Sequence, residues 1–341
     1  MKQLRWGILG TARIAEKNWK AIHHAGNSVL TAVASRDVGR SRAFIEKCQQ
    51  QQRLGAAPVA LGSYEALLAS RDVDAVYVPI PTGLRKEWVV RAAEAGKHVL
   101  CEKPCGASAD DVRQMIEACR KHRVQFMDGV MFMHNPRLNR IREALNSGAI
   151  GDVKRITSHF SFFGSDEFVR TNIRAHSELE PLGCLGDLGW YCVRFALWVM
   201  DWRLPVQIHG RVLSEFTGTH SPRPVPCEFS GELRFDGDVS SGFYCSFNAA
   251  FRNWVEVTGT KGYLRVPDFV LPANGTEGAL DVNGVLTDGP ADDPASRQET
   301  NMVRNFASQV LSGTLNDAWP EMSLKTQQVV EGCVRSVVEM K

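Results

Sequence analysis

The chain has 341 residues, of which 44% are hydrophobic and 23% charged, with a formal net charge of +2 at pH 7. This length exceeds what one hydrophobic core usually supports and predicts about two domains. A charge so small and so evenly spread argues against a nucleic-acid or membrane partner. We find no signal peptide and no apolar stretch long enough to span a bilayer, so we expect a cytoplasmic protein.

Nine cysteines are scattered along the chain without a C-x-x-C pair. An odd number without metal or redox spacing predicts buried free thiols in a reducing compartment.

Strands and helices alternate over the first 130 residues. The apolar patterns predict strands at 4–10, 28–35, 75–80, 98–101 and 125–130, and helices at 14–24, 41–52, 63–68, 86–95 and 108–121. Ser63 and Ser108 are typical helix-capping residues, and Gly96 is a typical stop. Such alternation with short connections indicates an α/β domain with a doubly wound parallel sheet.

The pattern changes after residue 130. A helix at 136–146 precedes predicted strands at 153–164, 206–216, 227–236, 239–249 and 254–266, with a buried helix at 184–199. An exposed loop at 273–297 and two helices complete the chain. Consecutive strands without intervening helices indicate an α+β domain with a large, mostly antiparallel open sheet.

The segment GILGTARIA at 7–15 turns a strand into a helix N-terminus. Unpaired backbone N–H groups and the helix dipole favour an anion there. The dinucleotide fingerprint G-x-G-x-x-G/A is met at Gly10 and Ala15, but Ala12 stands at the second glycine position. An ordinary tight turn is the alternative. The candidate cofactor-binding residues of this turn are Gly10, Thr11, Ala12, Arg13 and Ile14.

The next strand ends in Ser35-Arg36-Asp37, where an acidic residue would bind the ribose of NAD. Here Ser35 and Arg36 precede the acidic residue Asp37. Arg36 can stack on adenine and pair with a 2′-phosphate, and Arg40 follows closely. We therefore predict NADP rather than NAD, held at this end by Ser35, Arg36 and Arg40, although a solvated helix start would look similar.

The segment HVLCEKPCG at 98–106 begins as a buried strand and ends in Glu102, Lys103 and Pro104. A carboxylate next to an ammonium at a strand end indicates either a salt bridge that closes the strand or a catalytic lysine. Ligand sites in open α/β sheets lie at this edge.

The chain resembles the glucose–fructose oxidoreductase/inositol dehydrogenase (Gfo/Idh/MocA) family in three stretches: GILGTARIA at 7–15, YVPIPTGLRKEWVVRAAEAGKHVLCEKP at 77–104 and LGDLGWY at 185–191. The resemblance covers essentially the whole chain. It implies a Rossmann domain, then a mostly antiparallel sheet domain, and hydride transfer between NAD(P) and a sugar, polyol or related carbonyl. The chain is most similar to the branch that holds dimeric dihydrodiol dehydrogenase, NADP-dependent xylose dehydrogenase, sugar 3-ketoreductases and uncharacterised plant oxidoreductases.

The resemblance also implies roles for residues at two strand ends. Lys103 would contact the reacting oxygen and the nicotinamide ribose. The turn beneath the nicotinamide would be shaped by Glu102, Pro104 and the loop Pro79-Ile80-Pro81-Thr82. Many relatives carry a histidine where this chain has Arg85, so we assign no ribose contact to Arg85.

The resemblance also points to Asp187 and Tyr191, because many family members carry Asp and His four residues apart in the second domain and the dihydrodiol and ketosugar branches have Tyr in the second place. Four residues is one helical turn, so both side chains lie on one side of a helix. Oxidation of an alcohol needs a base for the hydroxyl proton. A phenol titrates at about 10, and a nearby ammonium favours the phenolate. We predict that Lys103 and Tyr191 act together in proton transfer, with a core tyrosine as the alternative. Asp187 either binds a substrate hydroxyl or stabilises the helix.

Further substrate-binding candidates are Asn135, Phe163 and Arg174, beside Lys103, Asp187 and Tyr191. Arg174 precedes the helix of Tyr191 in a loop that faces the cofactor cleft in similar proteins. His159 and His176 have no ligand spacing with another His or Cys, so we predict no metal.

The sequence therefore predicts an NADP-dependent oxidoreductase that transfers hydride between nicotinamide C4 and a sugar-like alcohol or carbonyl, either a pyranose such as D-xylose or a keto sugar. The alternatives are a trans-dihydrodiol dehydrogenase, a 3-ketosugar or glycoside reductase, and a non-catalytic NADP(H)-binding sensor or scaffold.

We assign residues 1–130 to NAD(P) binding and 131–341 to substrate binding and dimerisation. Phe243, Cys245 and Phe247 alternate with Tyr244 and Ser246, which indicates a sheet partly covered on both faces. We therefore predict a homodimer formed through the second domain's sheet.

Overall fold

A computed structural model describes residues 2–273 and 277–339 of the chain. The chain forms two compact units. The first unit comprises the residues up to Cys105, Asp110–His134 and Asp293–Ser323, and the second comprises Gly106–Ala109, Asn135–Asp292 and the residues from Leu324 onward. Part of the loop predicted at 273–297, residues 274–276, lies outside the described residues.

The elements up to residue 128 are, in chain order, β1 (Leu4–Leu9), α1 (Arg13–His24), β2 (Ser28–Ala34), α2 (Val38–Gln51), β3 (Val59–Leu61), α3 (Tyr64–Ala69), β4 (Ala75–Val78), α4 (Thr82–Glu94), β5 (His98–Cys101), α5 (Ala109–Lys121) and β6 (Phe126–Asp128). The six strands form one parallel sheet in the order β3-β2-β1-β4-β5-β6. This order is the one that binds dinucleotides in doubly wound folds, and it confirms the predicted fold class.

The elements after residue 134 are α6 (Arg137–Asn146), β7 (Val153–Phe163), α7 (Asp166–Thr171), a π-helical segment (Leu185–Gly189) continued by α8 (Trp190–Val199), β8 (Gln207–Phe216), β9 (Val225–Phe235), β10 (Val239–Ser246), β11 (Asn248–Gly259), β12 (Tyr263–Val266), β13 (Leu280–Val282), β14 (Val285–Thr287), α9 (Gln298–Leu311) and α10 (Ala318–Glu339). The strands form an eight-stranded sheet in the order β14-β13-β12-β11-β7-β10-β9-β8. Within this eight-stranded sheet, β7 and β10 are the only described strands that pair in parallel, so the predicted mostly antiparallel sheet is confirmed.

Several predicted boundaries are wrong in this second sheet. The strand predicted at 254–266 is two strands, because the chain reverses between Thr258 and Tyr263, which pair with each other. The loop predicted at 273–297 contains the hairpin of β13 and β14. Asn283 and Gly284 form its turn with φ of +52° and +84°, the left-handed conformation that tight hairpins require.

Residues Asp293–Ser323 cluster with the first unit, although the sequence placed everything after 130 in the second domain. The reason is the apolar face of α9. Met302, Val303 and Phe306 are buried in the same core as Trp6 of β1, and the Phe306 ring centroid lies 5.2 Å from that of Trp6. Burial of this face against the parallel sheet stabilises the first unit.

In the second unit, the helical segment that carries Asp187 and Tyr191 packs closely on the sheet. A Cβ placed on Gly189 would lie 3.2 Å from Cys245 Sγ of β10 and 2.9 Å from Leu185 Cδ1. Glycine therefore allows this close approach. Strand alternation then turns Phe243 and Cys245 toward the helix and Tyr244 toward the opposite face.

Candidate active site

Gly10 follows β1 and turns the chain toward α1. Its φ of +118° is a conformation that residues with side chains rarely adopt. A Cβ at this position would also lie 3.2 Å from Ile80 Cγ2, in the loop after β4. Glycine is therefore required both by the turn and by the close approach of the two loops.

The helix α1 begins with an uncapped first turn. Ala12 precedes the helix in an extended conformation, its carbonyl accepts the Ala15 N–H at 2.9 Å, and its methyl side chain cannot cap the turn. Thr11 and Ala12 are half-buried, whereas Arg13 and Ile14 are exposed. Such a helix end presents N–H groups and the positive end of the dipole to an anion. These predicted residues thus lie together in a turn suited to a phosphate.

The end of β2 carries the residues predicted to select the cofactor. Ser35 is buried, while Arg36 and Arg40 are exposed. Asp37 caps α2, because its Oδ1 accepts the Arg40 N–H at 2.9 Å. With this carboxylate engaged in capping and two guanidinium groups beside it, the strand end favours a phosphate over an uncharged ribose diol.

Tyr64, the first residue of α3, lies close to the same groups. Its hydroxyl would be 3.6 Å from a Cβ placed on Gly10, and its ring packs edge-on against Trp88 with centroids 4.8 Å apart. Burial raises the pKa of Tyr64, and the positive charges of Arg36 and Arg40 oppose that rise. The phenol therefore lies near both the glycine turn and the two arginines.

Glu102 is buried at the end of β5 and fixes the backbone of Lys103. Its Oε1 accepts the Tyr77 hydroxyl at 2.6 Å, and its Oε2 accepts the Lys103 N–H at 3.1 Å. Asn18 Nδ2 donates to the Tyr77 oxygen at 2.8 Å. Burial, together with the Glu102 charge, raises the pKa of Tyr77 far above its usual value, so the phenol stays protonated and donates.

The loop after β4 leaves the sheet beside Glu102, because Val78 and Cys101 are paired in the parallel register. Pro79, Ile80, Thr82 and Pro104 are buried, and Pro81 and Lys103 are half-buried. The structure thus brings the residues predicted for the nicotinamide end of the cofactor to neighbouring strand ends.

Arg174, Asp187 and Tyr191 lie together in the second unit. Arg174, in the 3₁₀ turn Ile173–Ala175, donates from Nε to Asp187 Oδ2 at 2.6 Å. The negative charge of Asp187 raises the pKa of Arg174, and Tyr191 contributes in the same direction, so the guanidinium lies near both side chains. Asp187 belongs to the π-helical segment, a distortion often found at functional sites. A cation beside the phenol favours the phenolate.

The other two substrate candidates, Phe163 and Asn135, differ in exposure. Phe163 is 69% exposed, and strand alternation turns it to the face opposite Phe160. Phe160, not Phe163, packs against Tyr191, with ring centroids 5.7 Å apart. Asn135 is buried and its Oδ1 accepts the Arg137 N–H at 2.9 Å at the start of α6. Substrate contacts by Asn135 and Phe163 stay predictions.

All nine cysteines are free and buried. Burial raises the pKa of Cys101, for example, to about 12, which keeps the thiol protonated and unreactive. Among the described residues, no three His, Cys, Asp or Glu side chains are grouped in a way that could hold a metal ion. None of the described helices combines the length and apolar character needed to cross a membrane.

Comparison with known proteins decides the family. The model of the oxidoreductase family with an NAD-binding Rossmann fold (GFO_IDH_MocA) matches residues 4–130, and the GFO/IDH/MocA C-terminal domain matches residues 138–265. The chain belongs to the GFO/IDH/MocA family. The predicted family, fold class and assignment as an oxidoreductase are confirmed.

Relatives within the GFO/IDH/MocA family match over most of their length. The chain is 33% identical over 339 residues to D-xylose 1-dehydrogenase (NADP(+)) 2 of Haloferax volcanii, covering 98% of this chain and 97% of that protein. It is 32% identical to the trans-1,2-dihydrobenzene-1,2-diol dehydrogenase of Xenopus laevis, covering 82% and 81%. A crystal structure of a 3-ketoreductase from Actinomadura kijaniata, in complex with NADP and TDP-benzene, has a TM-score of 0.84 at 27% identity and 98% coverage of both chains.

Two residues beside the candidate site residues were missed in the sequence. Tyr64 was assigned only to a capped helix, and no local signal connects it with Gly10. Phe160 follows the strand alternation that puts it on the buried face with Ile156 and Ser158, so the period of β7 alone could have favoured it over Phe163.

Proposed function

We propose that the chain is an NADP-dependent dehydrogenase or reductase that interconverts a sugar-like alcohol and its carbonyl, with a pyranose such as D-xylose or a keto sugar as substrate. The grouping of Arg174, Asp187 and Tyr191 carries this proposal, because it provides a phenol beside a cation. The relative named D-xylose 1-dehydrogenase and the solved structure of a 3-ketoreductase support the substrate class.

The first unit fits NADP. The uncapped start of α1 after Gly10 suits the pyrophosphate, and Arg36 and Arg40 suit a 2′-phosphate. Ser35 would bind the adenosine end, and the loop Pro79–Thr82 with the Glu102–Pro104 turn would hold the nicotinamide end. When bound, NADP(H) supplies or accepts the hydride.

Tyr191 and Lys103 would move the proton. In oxidation the phenolate of Tyr191 takes the hydroxyl proton, and in reduction the phenol returns it to the carbonyl oxygen. The ion pair of Arg174 with Asp187 neutralises a carboxylate that would otherwise oppose the phenolate. The ammonium of Lys103 would stabilise the developing alkoxide.

A substrate panel with two single variants tests this chemistry. NADP-linked turnover is followed at the nicotinamide absorbance with D-xylose, other pyranoses, keto sugars and a trans-dihydrodiol. Lys103→Met and Tyr191→Phe should each lower kcat by about a hundredfold or more while NADPH binding survives. The double variant should be little worse than either single variant, because the two groups act as one unit.

Lys121→Met and Tyr263→Phe are the matched controls, since Lys121 is exposed at the end of α5 and Tyr263 is half-buried on β12. Both should keep normal turnover. Near-normal turnover of Tyr191→Phe would contradict the role of the phenol. Turnover of the dihydrodiol alone would establish the dihydrodiol alternative, and NADPH binding without turnover of any panel member would favour a sensor or scaffold.

We also propose that the second unit forms a homodimer through the outer face of its sheet. Arg155, His159, Tyr244 and Trp254 point to this face and line a depression of about 400 Å³. The His159 ring lies 4.9 Å from Tyr244 and 6.0 Å from Trp254. Half-buried aromatic rings of this kind are enriched in interfaces. Light scattering at micromolar concentration should give a dimer mass, and a monomer mass would contradict the proposal.

We also propose that residues 1–130 bind NAD(P) and that residues 131–341 bind the substrate and form the dimer. A cytoplasmic location is a further proposal. The free, buried thiols favour a reducing compartment.

A further inference from the structure

Arg85 is a buried arginine in the first turn of α4, with 5% of its surface exposed. Its Nε donates to the Ile80 carbonyl at 2.7 Å, and one terminal nitrogen donates to Thr82 Oγ1 at 3.0 Å. The same nitrogen donates to the Pro104 carbonyl. Burying a guanidinium is costly unless its N–H groups find acceptors, so these three contacts hold the side chain in place.

The three acceptors belong to two different loops. Ile80 and Thr82 follow β4, and Pro104 follows β5. The two strands are neighbours, with Val78 opposite Cys101, so both loops leave the same edge of the sheet. One planar side chain therefore links two neighbouring strand ends.

Proline limits the hydrogen bonds that these two loops can make by themselves. Pro79, Pro81 and Pro104 have no backbone N–H, so these loops have few donors of their own for their buried carbonyls. Arg85 supplies donors to two of these carbonyls. Its rigid fork fixes their direction, which the single ammonium of a lysine cannot do.

We propose that Arg85 is a positioning residue that fixes the spacing between the loop Pro79–Thr82 and the Glu102–Pro104 turn. Lys103 then lies between two held points, the Glu102 carboxylate that accepts its N–H and the Pro104 carbonyl that accepts from Arg85. The inference rests on the proposed function, in which these loops hold the nicotinamide end of NADP and Lys103 takes part in proton transfer.

The proposal predicts different effects at the nicotinamide end and at the adenosine end of the cofactor. Arg36 and Arg40 follow β2, whereas Arg85 lies in α4 and bonds to the loops that follow β4 and β5. Loss of the Arg85 hydrogen bonds should therefore weaken the binding of NADPH. It should not weaken the binding of 2′,5′-ADP, which carries only the adenosine and phosphate end.

The test uses Arg85→Lys, which keeps the charge and loses the fork, with Arg91→Lys as the matched control. Arg91 is six residues further along α4, where its side chain is 38% exposed. For Arg85→Lys we expect NADPH affinity and kcat to fall by about tenfold, the scale of a lost charge-assisted hydrogen bond, and 2′,5′-ADP affinity to stay within about twofold. Amide exchange should accelerate at residues 80, 82–84 and 105–106 in this variant only.

Unchanged NADPH affinity and unchanged exchange in Arg85→Lys would overturn the proposal, as would equal weakening of NADPH and 2′,5′-ADP. If Arg85→Lys does not fold, Thr82→Val removes one acceptor, with Thr82→Ser as its control, and should give the same pattern at smaller size. If the wild-type protein does not bind NADPH, the proposed function is wrong. The comparison of amide exchange between Arg85→Lys and Arg91→Lys would still decide whether Arg85 holds the two loops.

Discussion

Replacing Tyr77 by phenylalanine removes one oxygen from the buried network that holds Glu102. The lost hydroxyl donates to Glu102 Oε1 at 2.6 Å and accepts from Asn18 Nδ2 at 2.8 Å. Asn18 Oδ1 is already a buried atom without a partner. The variant would therefore leave both ends of the Asn18 amide unsatisfied unless its side chain rotates.

The expected loss of stability follows from these contacts. A hydrogen bond to a charged group contributes about 1.5–3 kcal/mol, and a buried amide left without its acceptor costs about 1–3 kcal/mol. Glu102 keeps its bond from the Lys103 N–H, and Asn18 can relax in part, so the lower half of the combined range applies. We expect the free energy of unfolding of the first unit to fall by about 3 kcal/mol.

Urea denaturation followed by tryptophan fluorescence measures this change, because Trp6 and Trp19 are fully buried in the core of the first unit. Tyr263→Phe is the control and should lose little stability. A decrease below about 1 kcal/mol in Tyr77→Phe would refute the reasoning, since it would mean that the hydroxyl is not the donor that Glu102 needs.

The remaining predictions address cofactor choice, proton transfer, acid stability and assembly. Arg36→Ala should weaken NADP binding far more than NAD binding, by about 1.5–3 kcal/mol in titrations, and equal weakening would rule out a 2′-phosphate contact. Arg174→Met should shift the acid limb of the pH profile of kcat for alcohol oxidation to higher pH. The reason is that the phenolate of Tyr191 loses a nearby cation and faces the uncompensated negative charge of Asp187, and an unchanged profile would contradict this. Burial lowers the pKa of His98, so the unfolded chain binds more protons and stability should fall as the pH drops below about 6.5; His98→Asn should flatten this dependence in urea titrations at several pH values. Trp254→Arg should convert the proposed dimer to a monomer in light scattering, with turnover unaffected if each subunit is catalytically complete.

Much of the first unit could be predicted from local patterns. Parallel strands buried on both faces are continuous apolar runs, as in AVYV at 75–78 and HVLC at 98–101. In the helices between them, apolar residues recur at the helical spacing of three or four residues. The same local reasoning found the Gly10 turn and placed Lys103 at a strand end. Sequence motifs also singled out Asp187 and Tyr191 as candidates, and their roles stay predictions.

Some errors arose from local signals that were present but not used. Asp37 caps α2, which begins at Val38 and not at 41, and Pro81 precedes α4, which begins at Thr82 and not at 86. Both are residue types that start helices. The hairpin turn at Asn283 and Gly284 is a strong signal of the same kind.

The sequence by itself determined which faces of the strands and helices are apolar and where the chain turns. Only the tertiary structure decided which faces meet: α9 packs on Trp6 in the first unit, Tyr64 lies beside Gly10, and Arg174 pairs with Asp187. The period of a segment depends on neighbouring residues, whereas these contacts join residues that are far apart in the chain and that no local pattern couples. Their choice depends on how all the buried surfaces fit together, because burial of apolar area is favourable against any complementary partner and the dense packing of the core selects one.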